Sequence, residues 1–253
     1  MMRQPKLTLV GAGPGDPELI TLKGVKALES ADVVLYDALV NPELLQYAAD
    51  AEHIPVGKRA GKASVKQQTI NQLIVEHALQ DKHVVRLKGG DPFLFARGFE
   101  ELEYARSFGI EVASVVGVSS LHLPGMYGIP LTLRGVNQSV NIVTATTSEG
   151  TLSDEVGSAA QHAAATVFFM GFNKLEQIVA QYLKYRPASL PVAVIGRGSL
   201  EDAFVYQSTV GEIVHELKEV KVPAPALLLF GEVAGVRYGQ LISDVEKQIP
   251  HVA

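Results

Sequence analysis

The chain has 253 residues, 47% hydrophobic and 19% charged, a composition that suits one large or two ordinary globular domains and excludes an intrinsically disordered chain. It has no cysteine, which excludes disulfides, thiolate chemistry and cysteine-ligated metals. The net charge of −5 argues against a nucleic-acid partner, and no signal-peptide core or apolar run of membrane-spanning length occurs, so a soluble cytoplasmic protein is expected.

Leu7 to Val10 predicts a first strand, which runs into Gly11-Ala12-Gly13-Pro14-Gly15-Asp16-Pro17. Asp16 is an N-cap residue and Pro17 suits the first helical position, so a helix with an apolar stripe is expected through Leu28. Asp32 to Tyr36 reads as a second strand, ending at Asp37. Strand, glycine loop, helix, strand and acid resemble a dinucleotide site, but the third glycine position holds Asp16 and Pro14 removes an amide. A carboxylate at a helix N-terminus repels a pyrophosphate, so the loop suits a ligand without phosphate, a cationic one included.

Residues 42–48 predict a short helix and His53 to Val56 a strand. The following segment carries Lys58, Arg59, Lys62 and Lys66 without an acid. It reads either as a solvated loop or as a carboxylate site in which Arg59 offers a two-pronged fork. Ser64 and Gln67 form a capping-box pattern ahead of a helix through Ile70, Leu73, Ile74 and Ala78.

Val84 to Gly98 reads VVRLKGGDPFLFARG. A strand stops at Gly89 and Gly90, followed by Asp91, Pro92, two phenylalanines and Arg97. The stretch is either a tight turn with Phe93 and Phe95 in the core, or a ligand-binding edge at a strand's C-terminal end. Helix is expected from Glu100 to Phe108, strand from Val112 to Val116, then a turn through Gly117 and Ser119-Ser120 into a short helix ending near Gly128. About five strands alternating with helices predict a parallel sheet. The segment 129–135 reads as a linker, dividing the chain into domains 1–133 and 134–253.

In the second half, strands are expected at 139–144, 165–169, 190–195, 203–208 and 226–230. A helix capped by Asn173 with Glu176 runs to Tyr185, another spans 212–219, and the tail 236–249 is expected to be helical. The seven histidines show no metal-ligand spacing, and no Walker A or GxSxG motif occurs, so no metal site is expected.

The segments GAGPGDPELITLKGVKALESADVVLYDALV, VGKRAG, VVRLKGGDPFLFARG, GIPLTLRG and VFFMG resemble the tetrapyrrole (corrin/porphyrin) methylases. The resemblance covers nearly the whole chain and is dense from 7 to 135. It implies an α/β fold of two α/β domains, each with a mostly parallel central sheet, with S-adenosylmethionine in a cleft between them and a homodimeric assembly. It implies methylation of two ring carbons of uroporphyrinogen III to precorrin-2, on the branch toward sirohaem and cobalamin. By position, Pro14, Gly89, Gly90, Asp91, Leu94, Ser119, Ser120, Met170 and Gly198 match cofactor contacts, Asp37 a proton acceptor and Lys58 a proton donor. The substrate carries eight carboxylates, which gives Arg59, Lys62, Arg97 and Arg134 a reason to bind it. Ala96, Val116, Leu133, Thr146 and Gly196 depart from the family pattern. The alternatives are a methylase of a later corrinoid intermediate, an RNA- or protein-modifying relative, and a non-catalytic tetrapyrrole- or cofactor-binding paralogue.

Overall fold

The computed structural model describes residues 4–57, 66–162 and 164–236. Lys58, Arg59, Lys62, Ser64 and all but the first residue of the expected tail helix lie outside the described residues. The chain divides into two compact units, Met1–Ser120 and Leu121–Ala253.

The first unit contains β1 (Lys6–Gly11), α1 (Leu22–Glu29), β2 (Val33–Tyr36), β3 (Glu52–Pro55), α2 (Gln67–Ala78), β4 (His83–Lys88), α3 (Gly98–Arg106) and β5 (Glu111–Val115). The strands pair in the order β3-β2-β4-β1-β5, every pair parallel. An all-parallel sheet is covered on both faces, and the burial pattern shows it. Leu7, Leu9, Leu35 and Val84 pack with α2 residues such as Ile70 and Ile74. Val10, Val34, Val85 and Leu87 pack on the other face with Leu28 and Leu44.

Two local readings are corrected. The expected helix from Pro17 to Leu28 breaks into a 3-10 turn at Pro17–Leu19 and the separate helix α1, because Asp16 and Thr21 each cap a start of their own. Asp16 Oδ1 accepts from Glu18 N at 2.8 Å, and Thr21 Oγ1 accepts from Gly24 N at 3.1 Å. Gln67 is not the third residue of a capping box: it opens α2 behind an N-cap at Lys66 that makes no side-chain cap bond. Its amide instead donates to Asn71 Oδ1 and Glu101 Oε1.

The second unit contains α4 (Leu123–Met126), β6 (Val140–Thr144), α5 (Glu155–Gln161), β7 (Ala165–Phe169), α6 (Leu175–Tyr182), β8 (Pro191–Gly196), β9 (Phe204–Thr209), α7 (Ile213–Glu216) and β10 (Ala226–Phe230). Strand order is β6-β7-β10-β8-β9. The expectation of a mostly parallel sheet is corrected here: only β6–β7 pair in parallel, while β7–β10, β10–β8 and β8–β9 are antiparallel. Strands β6, β7 and β8 do point the same way, but β10 inserts between β7 and β8 in the opposite sense. The connection 197–203 is too short for a crossover helix, so β9 must return antiparallel. Helix α5 was not expected, and Asn173 lies within a 3-10 turn, Phe172–Lys174, with no side-chain cap on α6.

Ile129 is buried in the second unit against Val167 and Leu229, with Leu131 and Leu133 packed on the same cluster. The residues expected to link the domains therefore contribute core to the second sheet. No helix among the described residues is long and apolar enough to cross a membrane.

Candidate functional site

Because every strand of the first sheet is parallel, the C-terminal ends of β1, β2, β4 and β5 open on one edge, where ligands of such sheets sit. Three loops interlock there. Gly13 and Gly90 form an antiparallel bridge, with Gly90 N donating to Gly13 O at 2.7 Å and Gly13 N to Gly90 O at 3.3 Å. Gly117, after β5, lies so close that a Cβ on it would stand 2.2 Å from Gly90 O and 2.7 Å from Gly11 Cα. Only glycine permits backbones to approach in this way. Asp91 ties the loops together: Oδ1 accepts from Phe93 N at 2.9 Å and Oδ2 from Gly117 N at 3.1 Å.

Gly90 has φ +68°, and a Cβ built on it meets nothing within 4 Å. Its main chain borders open space, as a position touching a ligand requires. Gly89 differs, since a Cβ there would stand 2.9 Å from Leu39 Cβ. Pro14 and Leu94 are half-buried and Ser119 is buried. Phe93 and Phe95 are 44% and 41% exposed, so neither is a core residue. Arg97 is exposed and paired with Glu100, Nε to Oε1 at 3.0 Å. This pairing holds the Glu100 carboxyl below its ordinary value and the Arg97 guanidinium above its own.

Asp37 follows β2 on the same edge, its backbone N donating to Leu87 O at 3.2 Å. Arg86 Nη2 donates to Asp37 Oδ1. Arg86 is 1% exposed, although it sits in the middle of β4. Its Nη1 donates to Leu35 O at 3.3 Å and Leu87 O at 3.1 Å, and its Nε to Glu101 Oε1 at 3.4 Å. Lys88, also buried, donates from Nζ to both Glu101 oxygens at 2.9 and 3.1 Å. Two cations and two carboxylates thus close a network beneath the glycine loops, with the Gln67 amide as a further donor at 3.0 Å. Burial pushes the Lys88 ammonium below its ordinary value, Arg86 adds to that, and Glu101 opposes it. Sequence reading missed Arg86, Lys88 and Glu101. The signal lay in two charges on one face of an otherwise apolar strand, which demand a buried counter-charge.

In the second unit, β6, β7 and β8 likewise end on a common edge. Met170, just past β7, has φ +53° and its carbonyl accepts from Thr146 Oγ1 at 2.6 Å. Thr146, a departure from the family pattern, is therefore bonded to a position matched to cofactor contact. Gly198, past β8, is buried and its carbonyl accepts from Tyr127 Oη at 2.6 Å. A Cβ on Gly198 would stand 2.5 Å from Ile195 Cγ2, so packing alone requires glycine there. Arg134 is exposed. Among the described residues no group of histidines and carboxylates is placed to hold a metal ion.

Glycine loops and a carboxylate gathered at the C-terminal edge of an all-parallel sheet, ahead of a second, mixed sheet, define an α/β protein of the small-ligand-binding kind. The profile of the Tetrapyrrole (Corrin/Porphyrin) Methylases matches residues 6–214, and the chain belongs to this family. It is 44% identical over 235 residues to a uroporphyrinogen-III C-methyltransferase of Methanocaldococcus jannaschii, covering 91% of this chain and 97% of that protein. It is 43% identical to a siroheme synthase of Sodalis glossinidius, spanning 92% of this chain but half of that protein's length. Among solved structures, uroporphyrin-III C-methyltransferase of Thermus thermophilus complexed with S-adenosylhomocysteine matches with TM-score 0.79 and 37% identity, over 90% of this chain and 98% of that one. A cobalt precorrin-4 methyltransferase matches with TM-score 0.81 and 25% identity, over 91% and 96%.

Proposed function

We propose that this chain transfers methyl groups from S-adenosylmethionine to two ring carbons of uroporphyrinogen III, yielding precorrin-2 for sirohaem and cobalamin synthesis, as a cytoplasmic homodimer. The observation that carries the reading is the first sheet's edge, where Gly90 presents main chain to open space and Asp37 follows the neighbouring strand β2. The near full-length identity to a relative of that name supports the same substrate.

The residues fit the cofactor. A sulfonium nucleoside has no phosphate, so Asp16 at a helix start and Pro14 in the loop are compatible with it. When bound, it supplies a methyl group activated by a positively charged sulfur. Pro14, Gly89, Gly90, Asp91, Leu94, Ser119 and Ser120 hold it at the edge of the first sheet, and the family resemblance matches Met170 and Gly198 to cofactor contact as well. Gly90 supplies close main-chain contact, and Asp91 acts by locking the loops, since both of its oxygens are engaged by backbone amides.

The chain's task is alignment of the attacking carbon and removal of a ring proton. Asp37 accepts that proton, and Arg86 fixes the direction of its carboxylate. Lys58 returns a proton to the ring system. Arg59, Lys62, Arg97 and Arg134 pair with substrate carboxylates, Arg97 by exchanging Glu100 for one of them.

Incubation with methyl-labelled S-adenosylmethionine and uroporphyrinogen III tests the reading. The expected result is label on two ring carbons, and no label in the tetrapyrrole would refute it. The similarity to cobalt precorrin-4 methyltransferase favours one second reading, a later corrinoid substrate. Transfer to such an intermediate, with uroporphyrinogen III left unlabelled, would select it.

A further inference from the structure

We propose that Glu101, on α3, is a positioning residue for methyl transfer, acting on Asp37 through Arg86. The inference rests on the proposed role of Asp37 as proton acceptor. Arg86 bridges the two carboxylates with different nitrogens, Nε toward Glu101 and Nη2 toward Asp37. A guanidinium is a rigid plane, so fixing its Nε edge fixes the direction from which Nη2 reaches Asp37. Its Nη1 is spent on the carbonyls of Leu35 and Leu87, which pins the plane to strands β2 and β4.

Glu101 is itself immobilised. Its side chain is fully buried and accepts from Arg86, from Lys88 twice and from Gln67. Such a carboxylate has a purpose beyond balancing Arg86, because one partner would suffice for that. Lys88 and Gln67 fix its oxygens from β4 and α2 respectively, so that Glu101 offers Arg86 one acceptor in one place. The chain of contacts runs from α2 and α3 to Glu101, to Arg86, to Asp37 at the open edge of the sheet. Asp37 is the outermost member, its side chain 28% exposed against 2% or less for Arg86 and Glu101.

The test is a double-mutant cycle of Glu101→Gln and Asp37→Asn, read by single-turnover transfer of labelled methyl and by equilibrium binding of S-adenosylhomocysteine. Glu101→Gln is expected to lower the transfer rate roughly 10–100-fold, as a small misplacement of a reacting group does. Affinity for S-adenosylhomocysteine and KM for the tetrapyrrole stay within about twofold, a separation that general loss of structure would not give. In the Asp37→Asn background the same change costs less than about twofold, because the group it positions has gone. Equal factors in both backgrounds, an unchanged rate, or a parallel fall in cofactor affinity would overturn the proposal. A fully active Asp37→Asn would instead remove the proton acceptor itself, and the inference with it. If Glu101→Gln does not fold, Glu101→Asp takes its place in the cycle, since it keeps the charge but withdraws the carboxylate from Arg86.

Discussion

Gly90 and Gly117 are neighbours with opposite reasons for being glycine, and substitution separates them. A Cβ at Gly90 meets no protein atom, so Gly90→Ala carries only the cost of its left-handed backbone, about 1–2 kcal/mol. Its affinity for S-adenosylhomocysteine is expected to fall at least about tenfold by calorimetry, because the methyl enters the space assigned to the ligand. Unchanged affinity would take Gly90 out of the site. Gly117→Ala puts a methyl 2.2 Å from the Gly90 carbonyl and forces the loops apart. It is expected to cost about 1–3 kcal/mol, read as a lower denaturation midpoint. The GG pair announced itself in the sequence, because adjacent glycines after an apolar strand imply a special backbone. The partnership of Gly11, Gly90 and Gly117 did not, since it joins loops far apart in the chain.

At the scale of elements, short β-prone runs, most of them closed by glycine, marked the ten strands of the described residues, because burial on a sheet needs a short hydrophobic stretch and a turn. Strands β2, followed by Asp37, and β6, followed by Ala145, lack that glycine. Strand direction was less legible. The reversal of β9 could have been read from the brief 197–203 connection, whereas the insertion of β10 between β7 and β8 has no local signal. Helix starts were misread where two polar residues competed to cap, as at Asp16 and Thr21. The buried carboxylate on α3 escaped notice because Glu101 stands next to exposed Glu100 in a pattern typical of a solvated first turn. Packing of α6 yields its own prediction. Tyr182, 2% exposed, meets Phe168 edge-on at 6.0 Å and Phe230 at 4.6 Å between ring centroids. Burial pushes its phenol from 10.0 up to about 12. Its folded pKa thus exceeds the unfolded one, so its contribution is complete below pH 10 and is lost as pH climbs toward 12. Between those limits the wild type is expected to lose about 2–3 kcal/mol more than Tyr182→Phe, in urea titrations across the alkaline range. Parallel alkaline losses in the two proteins would contradict this.

For the whole molecule, a ligand that binds only the folded chain must raise its unfolding temperature. S-adenosylhomocysteine at 100 times its dissociation constant adds about 2.7 kcal/mol, roughly 5–10 °C for a chain of this size. Differential scanning fluorimetry checks this, and no shift at saturating nucleoside would mean that the folded chain does not bind it. Cofactor class was legible because the motifs that carry the family resemblance, such as the glycine loop at 11–15 and the pair at 89–90, are contiguous in the sequence. The substrate side was less so, since the basic residues proposed for it, Arg59, Lys62, Arg97 and Arg134, are scattered along the sequence and form no contiguous motif.

The place of β1 between β4 and β5 has a consequence for synthesis. Its two hydrogen-bonded neighbours are β4, beginning at His83, and β5, beginning at Glu111. At the usual pace of translation, roughly 5–20 residues per second, the earliest strand waits on the order of 5–20 s before both flanks exist. During that interval the nascent chain carries an apolar ribbon with open edges, a surface prone to aggregate. Ribosome-bound fragments ending before Glu111 should therefore be protease-sensitive throughout, and resistance should appear abruptly once β5 clears the exit tunnel.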